Sequence, residues 1–530
     1  MPRSFFLFFC CGVSLYATVS LEYISTKPQS RARDFLIWEY LQHNDITPQK
    51  AKKVYKLVKN KNNPKIKKLY AKIVDDAIRY ELQCKKRKDL LKIEDDRCLN
   101  FAFSPYKTIK MSRFQRDQLL TRNLSMKNKK ILQLQNEPCS FVRYREYDPD
   151  DVTSFLLTLP RSVFQSKFDK KLKKNDIEFL MCSLKFDRFV VRVVTDYSLK
   201  NLQRSLFSLS LKRLNSKSAF FLALNAVRYN QKKSAIRYLK TAYAKAKKQR
   251  ERDKINFWLY LVSGDTLYLK NLLLSMSINI YTLYAHEKTN VEVVNYFNEV
   301  DTVAKKSSYN LQNPFDWLYI LDTVHATKRS ELFRLIRQQY KYEDLAPVQC
   351  FVIERAYNYK MHGYISPYDK YLKKLSKQQK AFFYSLMRQE STYIPSAISR
   401  SFAVGLMQLM PFLIDHIAKK KQEKIISFTQ LFDPEKNIQY AKIHLKWLQK
   451  VLDENPLFIA YAYNGGYGFF SRYKKSGRFL QGKYEPFLSM EMMANTQTRE
   501  YGKRVLANYV MYMKIYGEKF SLIGFFESLK

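Results

Sequence analysis

One carboxylate, Glu390, stands where the local pattern of the chain predicts an apolar side chain. In the segment that begins near Lys377, Phe383, Leu386 and Met387 recur at helical spacing, and Glu390 is the next position on that face. Burial among apolar side chains makes a carboxylate costly to ionise, so its pKa rises. A carboxyl group with a raised pKa is suited to giving up a proton near neutral pH. The pattern therefore makes Glu390 the candidate for a proton donor in a reaction.

The helices that must hold this group can be predicted from the residues that follow it. Asp433-Pro434 is typical of a helix start, with the Asp as N-cap and the Pro in the first turn. The pair Gly465-Gly466 predicts the end of the helix that contains residues 458–463. A last helix is predicted over about residues 499–516, because tyrosine and valine recur there on one face. The C-terminal part is thus predicted to be mainly α.

The longer N-terminal part, residues 32–348, is predicted to consist of successive helices. In residues 219–260 the pattern predicts two helices joined at Asn230-Gln231 and followed by a turn at Gly264-Asp265. Such pairs are typical of helical-hairpin arrays with degenerate repeats. The clearest strand signal is residues 189–194, although the neighbouring segments are helical.

The helical pattern breaks at residues 364–367, and a new helical unit begins near Lys377. We therefore predict a mostly α protein with four segments. They are a signal peptide (residues 1–20), an α-superhelical domain built as a helical-hairpin array (residues 21–350), a linker region (residues 351–376) and a catalytic domain (residues 377–530).

Composition limits the class of protein and of partner. The chain has 530 residues, of which 46% are hydrophobic and 15% aromatic, enough to exclude global disorder. Its 12 glycines disfavour glycine-rich phosphate loops. The net charge of +45 indicates a polyanionic partner, which is a nucleic acid, an anionic membrane surface or an acidic polysaccharide or peptide polymer. A lysine-rich background composition is the alternative explanation.

The N-terminus predicts export. Arg3 precedes an apolar stretch over residues 5–17 that ends in small residues, which is the layout of a secretory signal peptide cleaved near Ser20. An uncleaved short anchor is the alternative. No later run approaches the roughly 18 apolar residues of a membrane-spanning helix. The mature chain is therefore predicted to be exported and soluble.

Five cysteines follow the signal peptide, and none has the C-x-x-C spacing of a zinc site. Cys84 and Cys98 are the closest pair along the chain and are predicted to form a disulfide, with buried or unpaired thiols as the alternative. The H-E-x-x-H motif is absent and only 6 histidines occur, so neither a metal site nor a cofactor is predicted.

Four motifs occur in order along the C-terminal part. They are R-Q-E-S at 388–391, G-L-M-Q-L-M-P at 405–411, D-P-x-x-N at 433–437 and A-Y-N-G-G at 462–466. With this order and spacing the chain resembles the soluble lytic transglycosylases, which cleave the glycan strands of bacterial peptidoglycan. The resemblance covers about residues 364–516, and the helical array before it is similar to the superhelical part of that family. It implies a lysozyme-like, mainly α catalytic domain, a periplasmic location and no cofactor.

The resemblance also implies a mechanism in which Glu390 is the only catalytic carboxylate. Glu390 would protonate the glycosidic oxygen between N-acetylmuramic acid and N-acetylglucosamine and then act as base on the C6 hydroxyl of the muramyl sugar. That hydroxyl attacks C1 of the same ring and gives a 1,6-anhydro product without water. Because an intramolecular nucleophile has a very high effective molarity, no second carboxylate is needed.

Further roles are implied by position in the motifs. Ser391 would orient Glu390, Tyr393 would stack on a sugar or else serve in packing, and Tyr463 and Asn464 would face the scissile bond. The remaining substrate-binding candidates are Ser399, Met407, Gln408, Met410 and Gln497.

Four residues depart from the family pattern. Phe402 stands where glycine is usual in S-x-x-G-A-x-G, so it would alter the turn or cover part of the groove. Gln497 stands where a second glutamate is common, which removes a charge near the substrate. Gly465 for alanine and Tyr467 for proline are expected to be tolerated.

Three alternatives remain open at this stage. A lysozyme-type hydrolase needs a second carboxylate about 5–9.5 Å from the first, for which Asp433 is the candidate, although it is more simply a helix cap. A non-catalytic wall-binding scaffold could keep the same fold. A nucleic-acid-binding helical-repeat protein would explain the charge, but the export signal opposes it. We therefore expect peptidoglycan glycan strands as the partner, with no nucleic acid and no membrane span after signal cleavage. The sequence identifies no protein partner in cell-wall synthesis or division.

Overall fold

The computed structural model describes residues 19–207 and 209–529. Within them nearly all regular structure is α-helical, as predicted, and one parallel strand pair joins β1 (Tyr296–Phe297) to β2 (His362–Gly363). The apolar stretch that predicts a signal peptide lies outside the described residues. No helix within the described ranges is long and apolar enough to cross a membrane.

The helices before residue 205 are short, and many begin at a Ser, Thr, Asn or Asp whose side chain accepts a backbone N–H of the first turn. They are α1 Leu21–Thr26, α2 Arg31–Tyr40, α3 Pro48–Lys56, α4 Pro64–Ile73, α5 Ala77–Lys86, α6 Asp96–Ala102, α7 Pro105–Thr108, α8 Arg113–Leu120, α9 Met126–Asn136, α10 Phe141–Tyr144, α11 Pro149–Thr158, α12 Arg161–Phe168, α13 Lys174–Leu180, α14 Phe186–Thr195 and α15 Lys200–Arg204.

The strand signal at residues 189–194 is wrong, because this segment lies in α14. Its buried residues, Phe186, Phe189, Val190, Val193 and Val194, follow helical spacing and form one apolar stripe. The β-branched side chains of this segment are buried on one face of a helix and do not belong to a β-sheet.

Successive helical hairpins follow, as predicted. They are formed by α16 Ser216–Arg228, α17 Lys232–Lys245, α18 Gln249–Ser263, α19 Leu267–Leu273 and α20 Ile280–Thr289. Each of these helices packs against the next. The predicted break between the first two is confirmed by Asn230, whose φ is 56°, and the turn after α18 by Gly264, a left-handed C-cap with φ 82°.

The rest of the chain contains the remaining helices, including those that carry residues of the four motifs. They are α21 Pro314–Ala326, α22 Leu332–Leu335, α23 Ala346–Ala356, α24 Lys377–Ser391, α25 Pro411–Lys420, α26 Pro434–Val451, α27 Pro456–Gly465, α28 Tyr467–Lys475, α29 Phe487–Glu491, α30 Thr496–Ile515 and α31 Leu522–Glu527. Short 3-10 turns cover Arg329–Glu331, Glu343–Leu345, Asp369–Tyr371 and Phe428–Phe432, and a π turn covers Ile336–Tyr340. The predicted start of α26, end of α27 and presence of α30 are confirmed.

The chain divides into two compact units whose segments alternate along the sequence. The first unit comprises the chain up to Arg79, Tyr309–Thr323 and Ile394–Ala441, and the second comprises Tyr80–Ser308, Val324–Tyr393 and Lys442–Lys530. The domain boundaries at residues 20, 350 and 376 stay a prediction.

In the core of the first unit, the N-terminal helices pack against the loop that contains Phe402. Phe35 and Trp38 of α2 contact the ring of Phe402, with ring centroids 5.7 and 5.4 Å apart. Trp38 also stacks on Phe428 at 5.5 Å, and Phe35 lies 6.1 Å from Phe432. Ring–ring contacts of this kind stabilise the fold by more than the burial of their apolar surface alone.

The core of the second unit is centred on α30, which packs against both α24 and α27. Tyr384 of α24 stacks on Tyr512 of α30 with ring centroids 5.5 Å apart. The close approach of α27 needs Gly502, because a Cβ there would lie 2.3 Å from the Tyr461 ring. This unit also contains the predicted disulfide, Cys84–Cys98, which is confirmed.

Candidate active site

Helix α24 places Glu390 in its last turn. The helix begins at a capping box in which Ser376 and Gln379 bond each other's backbone N–H groups. Its apolar face is buried: the exposed fraction is 3% for Phe383 and 0% for both Leu386 and Met387. The predicted apolar face is therefore confirmed. Glu390 follows on that face and is itself partly buried.

The Glu390 carboxylate receives a hydrogen bond from a helix far along the chain. The hydroxyl of Tyr501, on α30, donates to Glu390 Oε1 at 2.7 Å. Burial raises the pKa of Glu390 to about 7, although the bond from Tyr501 acts in the opposite direction. The pKa of Tyr501 lies well above its usual value because of its own burial and the nearby Glu390 charge. Tyr501 therefore stays protonated, while Glu390 exchanges a proton near neutral pH.

Tyr463 and its neighbours form an aromatic wall in the same unit. Burial and then the charge of Glu390 raise the pKa of Tyr463 well above its usual value, which shows that the two groups are near each other. The His444 ring lies 5.5 Å from that of Tyr463, and burial lowers the His444 pKa to about 4. Trp447 stacks on His444 at 5.9 Å and is 45% exposed. The wall thus combines neutral rings with one accessible indole.

Asn464 and Gln497 lie at the ends of adjacent helices in this unit. Asn464 Oδ1 accepts a hydrogen bond of 3.1 Å from the Thr498 hydroxyl, which ties the end of α27 to the first turn of α30. Gln497, in that same turn, is exposed. The family's T-R pair continues with Arg499, which is buried and donates to the Met493 carbonyl at 2.7 Å.

The structure corrects the roles expected of Ser391 and Tyr393. The Ser391 hydroxyl donates to the Met387 carbonyl at 3.2 Å, and the bond that orients Glu390 comes from Tyr501 instead. Tyr393 is fully buried, with its hydroxyl 2.6 Å from that of Tyr512, so it cannot stack on a sugar. The left-handed residues Thr392 and Tyr393, with φ of 50° and 65°, turn the chain inward after α24. The packing alternative for Tyr393 is the one observed.

The remaining predicted site residues belong to one loop of the first unit. Gln408, with φ 47°, folds its amide back so that Nε2 donates to the carbonyls of Ala397 and Gly405, each at 2.9 Å. Ser399 Oγ accepts the Ala403 N–H at 2.9 Å. Met407 is buried and Met410 is the partly buried N-cap of α25. Gln408 is thus held by the loop itself.

Asn437, from the D-P-x-x-N motif, organises this loop. Its Oδ1 accepts the Met407 N–H at 2.9 Å, and its Nδ2 donates to the Val404 and Leu431 carbonyls at 3.2 and 2.8 Å. A Cβ at Gly405, whose φ is 80°, would lie 2.0 Å from the Asn437 amide. The glycine and the asparagine of two separate motifs therefore fit each other.

Phe402 adopts a backbone conformation that favours glycine. Its φ is 60°, in the left-handed region, and its ring is 1% exposed against Phe35 and Trp38. The ring therefore serves the core of the first unit, so the expectation that Phe402 covers the groove is wrong. Lys65 Nζ also lies 5.8 Å from this ring and donates to the Ser401 carbonyl.

Sequence patterns missed Tyr501 as a partner of Glu390. It lies 111 residues away and shares its helix with tyrosines that pack in the core, so spacing alone does not separate it from them. His444 and Trp447 were also missed, because two aromatics in an amphipathic helix give no functional signal. Among the described residues, no group of His, Cys, Asp and Glu is arranged to hold a metal ion.

Known proteins are similar to this chain over part of its length. The family model described as Transglycosylase SLT domain matches residues 369–485. Over 232 residues, 43% of this chain, the sequence is 26% identical to the soluble lytic murein transglycosylase of Escherichia coli K12, of which 35% is covered. Over 93 residues, 16% of this chain, it is 37% identical to the membrane-bound lytic murein transglycosylase C of Edwardsiella ictaluri, of which 26% is covered. The aligned segments therefore span about a quarter to a third of these curated relatives.

The fold is also similar to that of a solved structure. An inactive mutant of the lytic transglycosylase Slt from Pseudomonas aeruginosa matches with a TM-score of 0.53 at 13% identity, covering 94% of this chain and 84% of that one. The predicted mostly α fold is confirmed. Residues 369–485 thus match the Transglycosylase SLT domain, and the chain is homologous over part of its length to soluble lytic murein transglycosylases.

Proposed function

We propose that this protein is a peptidoglycan lytic transglycosylase that cleaves the β-1,4 bond between N-acetylmuramic acid and N-acetylglucosamine without water. The observation that carries the proposal is Glu390, a carboxyl group within the matched domain whose pKa of about 7 suits both proton donation and proton acceptance. The Tyr501 hydroxyl fixes the carboxyl through a neutral hydrogen bond, which leaves its charge uncompensated.

In the first step, protonated Glu390 donates its proton to the glycosidic oxygen. The bond from that oxygen to C1 of the muramyl sugar breaks, and the N-acetylglucosamine leaves with the proton. Positive charge develops at C1 while Glu390 becomes a carboxylate, so the two charges stabilise each other in a partly buried site. One positioned acid of this kind contributes on the order of 10²–10⁴ in rate.

In the second step, the Glu390 carboxylate takes the proton of the C6 hydroxyl on the same muramyl sugar. O6 bonds to C1 and closes the 1,6-anhydro ring, and Glu390 returns to its protonated form. The proton donated in the first step is regained in the second, so no water is consumed. Because nucleophile and electrophile share one ring, their effective molarity replaces a second carboxylate.

The other residues of the second unit position this chemistry. Tyr501 holds the Glu390 carboxyl in one orientation and keeps its pKa from rising further. Tyr463 and Asn464 face the sugar at the scissile bond. Gln497 is a neutral group at the entrance of the substrate cleft. Trp447, as the exposed ring of the aromatic wall, offers an apolar face to a sugar.

In the first unit, Gln408 contacts the glycan through the part of its amide that the loop leaves available. Ser399, Met407 and Met410 maintain the shape of the loop. Because the loop is held by Asn437 and Gly405, Gln408 needs little reordering on binding.

The location and partner follow from the same proposal. The N-terminal 20 residues direct export, and the enzyme acts in the periplasm on peptidoglycan strands. The stem peptides of peptidoglycan carry carboxylates, so the net charge of +45 draws the enzyme to its substrate, and cleavage should fall as salt rises.

Lysozyme-type hydrolysis is the competing reaction, with Asp433 as its second carboxylate. Asp433 Oδ1 accepts the Lys436 N–H at 2.8 Å, which is the bond of a helix N-cap and favours a structural role. Mass spectrometry of sacculi digested by the wild-type protein tests the two reactions. We expect anhydromuramyl ends, which are lighter than reducing ends by one water. Reducing muramic ends would establish the hydrolase, and no cleavage at all would favour a wall-binding scaffold.

A further inference from the structure

In the first unit, side chains of α2 and α4 hold the loop that carries Gln408. This loop covers residues 397–410, and we call it the Gln408 loop. The side chains that contact it or the turn after it form one group, which we call the α2–α4 clamp. The clamp consists of Arg31, Phe35, Trp38, Glu39 and Lys65.

Two cations of the clamp bond to the backbone of the Gln408 loop. Arg31 Nη1 donates to the Ile398 carbonyl at 3.0 Å, and Lys65 Nζ donates to the Ser401 carbonyl at 2.7 Å. Hydrogen bonds from a charged donor are stronger than those between neutral groups. Because both acceptors are backbone atoms, these bonds fix the position of the main chain itself.

The Lys65 ammonium is held in place by aromatic rings. It lies 5.3 Å from the ring centroid of Trp38 and 5.8 Å from that of Phe402. Burial lowers the pKa of Lys65, because the ammonium loses part of its hydration at this position. Two rings and one carbonyl therefore confine the charged end of Lys65.

The clamp also holds the turn that precedes the D-P-x-x-N motif. Glu39 is buried, and its Oε1 accepts the Ser427 hydroxyl at 3.0 Å and the Phe428 N–H at 2.6 Å. This turn leads into α26, whose Asn437 also bonds the Gln408 loop. The clamp is thus connected to the Gln408 loop both directly and through Asn437.

A continuous path of bonds runs from Arg31 to the Gln408 amide. Ile398, which accepts the Arg31 bond, follows Ala397 in the chain. The Ala397 carbonyl accepts Gln408 Nε2 at 2.9 Å. A displacement of Ile398 therefore moves the acceptor that orients the Gln408 amide. A binding side chain is presented accurately only when the groups that hold it are themselves fixed.

We propose that Lys65 and Arg31 are positioning residues that act on the substrate through Gln408. They hold the main chain of the Gln408 loop so that the amide meets the glycan in one orientation, and less conformational freedom is lost on binding. This inference rests on the proposed function. Arg31 is exposed and Lys65 is partly buried, so loss of either bond should change the loop more than the stability of the whole unit.

The test uses Lys65→Met, which keeps the apolar part of the side chain and removes the ammonium. Lys65→Arg keeps a charged donor and serves as the rescue variant. The matched control is Lys68→Met, at an exposed lysine of the same helix. Lys65→Met and Lys68→Met lose the same charge, so a weaker attraction to the wall affects both equally. Thermal unfolding verifies folding, and if Lys65→Met does not fold, Arg31→Met is measured in its place.

Hydrogen exchange of the backbone amides, followed by mass spectrometry, reports on the Gln408 loop without any substrate. The Gly405 N–H donates to the Ala397 carbonyl within the loop at 2.9 Å. We expect peptides that contain Gly405 to exchange about tenfold faster in Lys65→Met than in Lys68→Met, and Lys65→Arg to keep the wild-type rate. Equal exchange in all four proteins would overturn the proposal.

A double-mutant cycle with Gln408→Ala tests whether Lys65 acts through Gln408. On soluble glycan strands, Lys65→Met should raise KM about fivefold relative to Lys68→Met and leave kcat unchanged, because a contact made equally in the ground state and the transition state affects binding alone. In the Gln408→Ala background, Lys65→Met should have no further effect on KM. A fall in kcat at unchanged KM, or equal effects in both backgrounds, would contradict positioning through Gln408.

The exchange measurement separates this inference from the proposed function. If the Gln408 loop loosens in Lys65→Met but the wild type cleaves no strand, the proposed reaction fails while the positioning of the loop by Lys65 stands. If the wild type gives anhydromuramyl products while exchange is equal in all the proteins, the inference fails and the proposed function stands.

Discussion

The hydroxyl of Tyr501 donates a 2.7 Å hydrogen bond to Glu390 Oε1 and so connects α30 to the last turn of α24. This bond opposes the burial that raises the Glu390 pKa to about 7. The acidity of the proposed catalytic group is therefore set by a balance between a low-dielectric environment and one neutral donor.

Tyr501→Phe should shift the pH dependence of catalysis. Without the donor, the pKa of Glu390 rises further, so the alkaline limb of the kcat/KM profile moves to higher pH. The rate at its optimum should fall about tenfold, because the carboxyl loses its orientation. Tyr509→Phe, on the same helix, is the control and should leave the profile unchanged. A lower rate with an unmoved alkaline limb would show that Tyr501 serves only packing.

Glu390 should also make stability depend on pH. Its folded pKa is raised above the usual 4.5 to about 7, so its contribution is fully present below about pH 4.5 and is lost as pH rises through 7. Relative to Glu390→Gln, the wild type should lose up to about 3 kcal/mol between pH 5 and 8. Thermal unfolding of both proteins across this range gives the difference. A constant difference in Tm would refute the raised pKa.

Two substitutions of Phe402 separate the effect of its ring on stability from that of its backbone conformation. Truncation to alanine removes a buried ring and should cost about 3–5 kcal/mol. Phe402→Gly removes the same ring but relieves the left-handed φ of 60°, so it should be about 1 kcal/mol more stable than Phe402→Ala. Denaturant unfolding of the two variants measures this difference. If alanine proves the more stable, the strained backbone at this position is excluded.

Asn437→Ala should loosen the loop that carries Gln408. The change leaves the Met407 N–H and the Leu431 carbonyl without their buried side-chain partner and removes one of two hydrogen bonds to the Val404 carbonyl, at a cost of about 3 kcal/mol. Limited proteolysis should cut residues 397–410 faster in the variant. Gln439→Ala, an exposed change on the same helix, should not alter the cutting rate, and equal rates in all three proteins would remove Asn437 from this role.

Local features of the fold could be predicted from the sequence, whereas long-range ones could not. The apolar face of α24, the cap at Asp433 and the end of α27 at Gly466 depend on neighbouring residues and were predicted correctly. The Tyr501–Glu390 bond joins residues 111 positions apart, which spacing does not encode.

Two errors have specific causes. Tyr393 follows an active-site motif, but the left-handed turn after α24 directs its ring into the core. Phe402 was expected to cover the groove, but Phe35 and Trp38 of the N-terminal helix α2 bury its ring. The residues around the motifs do not reveal that the rings of Tyr393 and Phe402 pack in the core.

The most direct test of the central claim is the turnover of purified sacculi by Glu390→Gln. Glutamine keeps the size of the side chain and accepts the Tyr501 hydrogen bond but cannot transfer a proton. The exposed Glu435→Gln serves as the matched control. We predict that Glu390→Gln still binds sacculi and releases anhydromuropeptides at least about 10³-fold more slowly than the control. Release within about tenfold of the control would contradict Glu390 as the only acid and base.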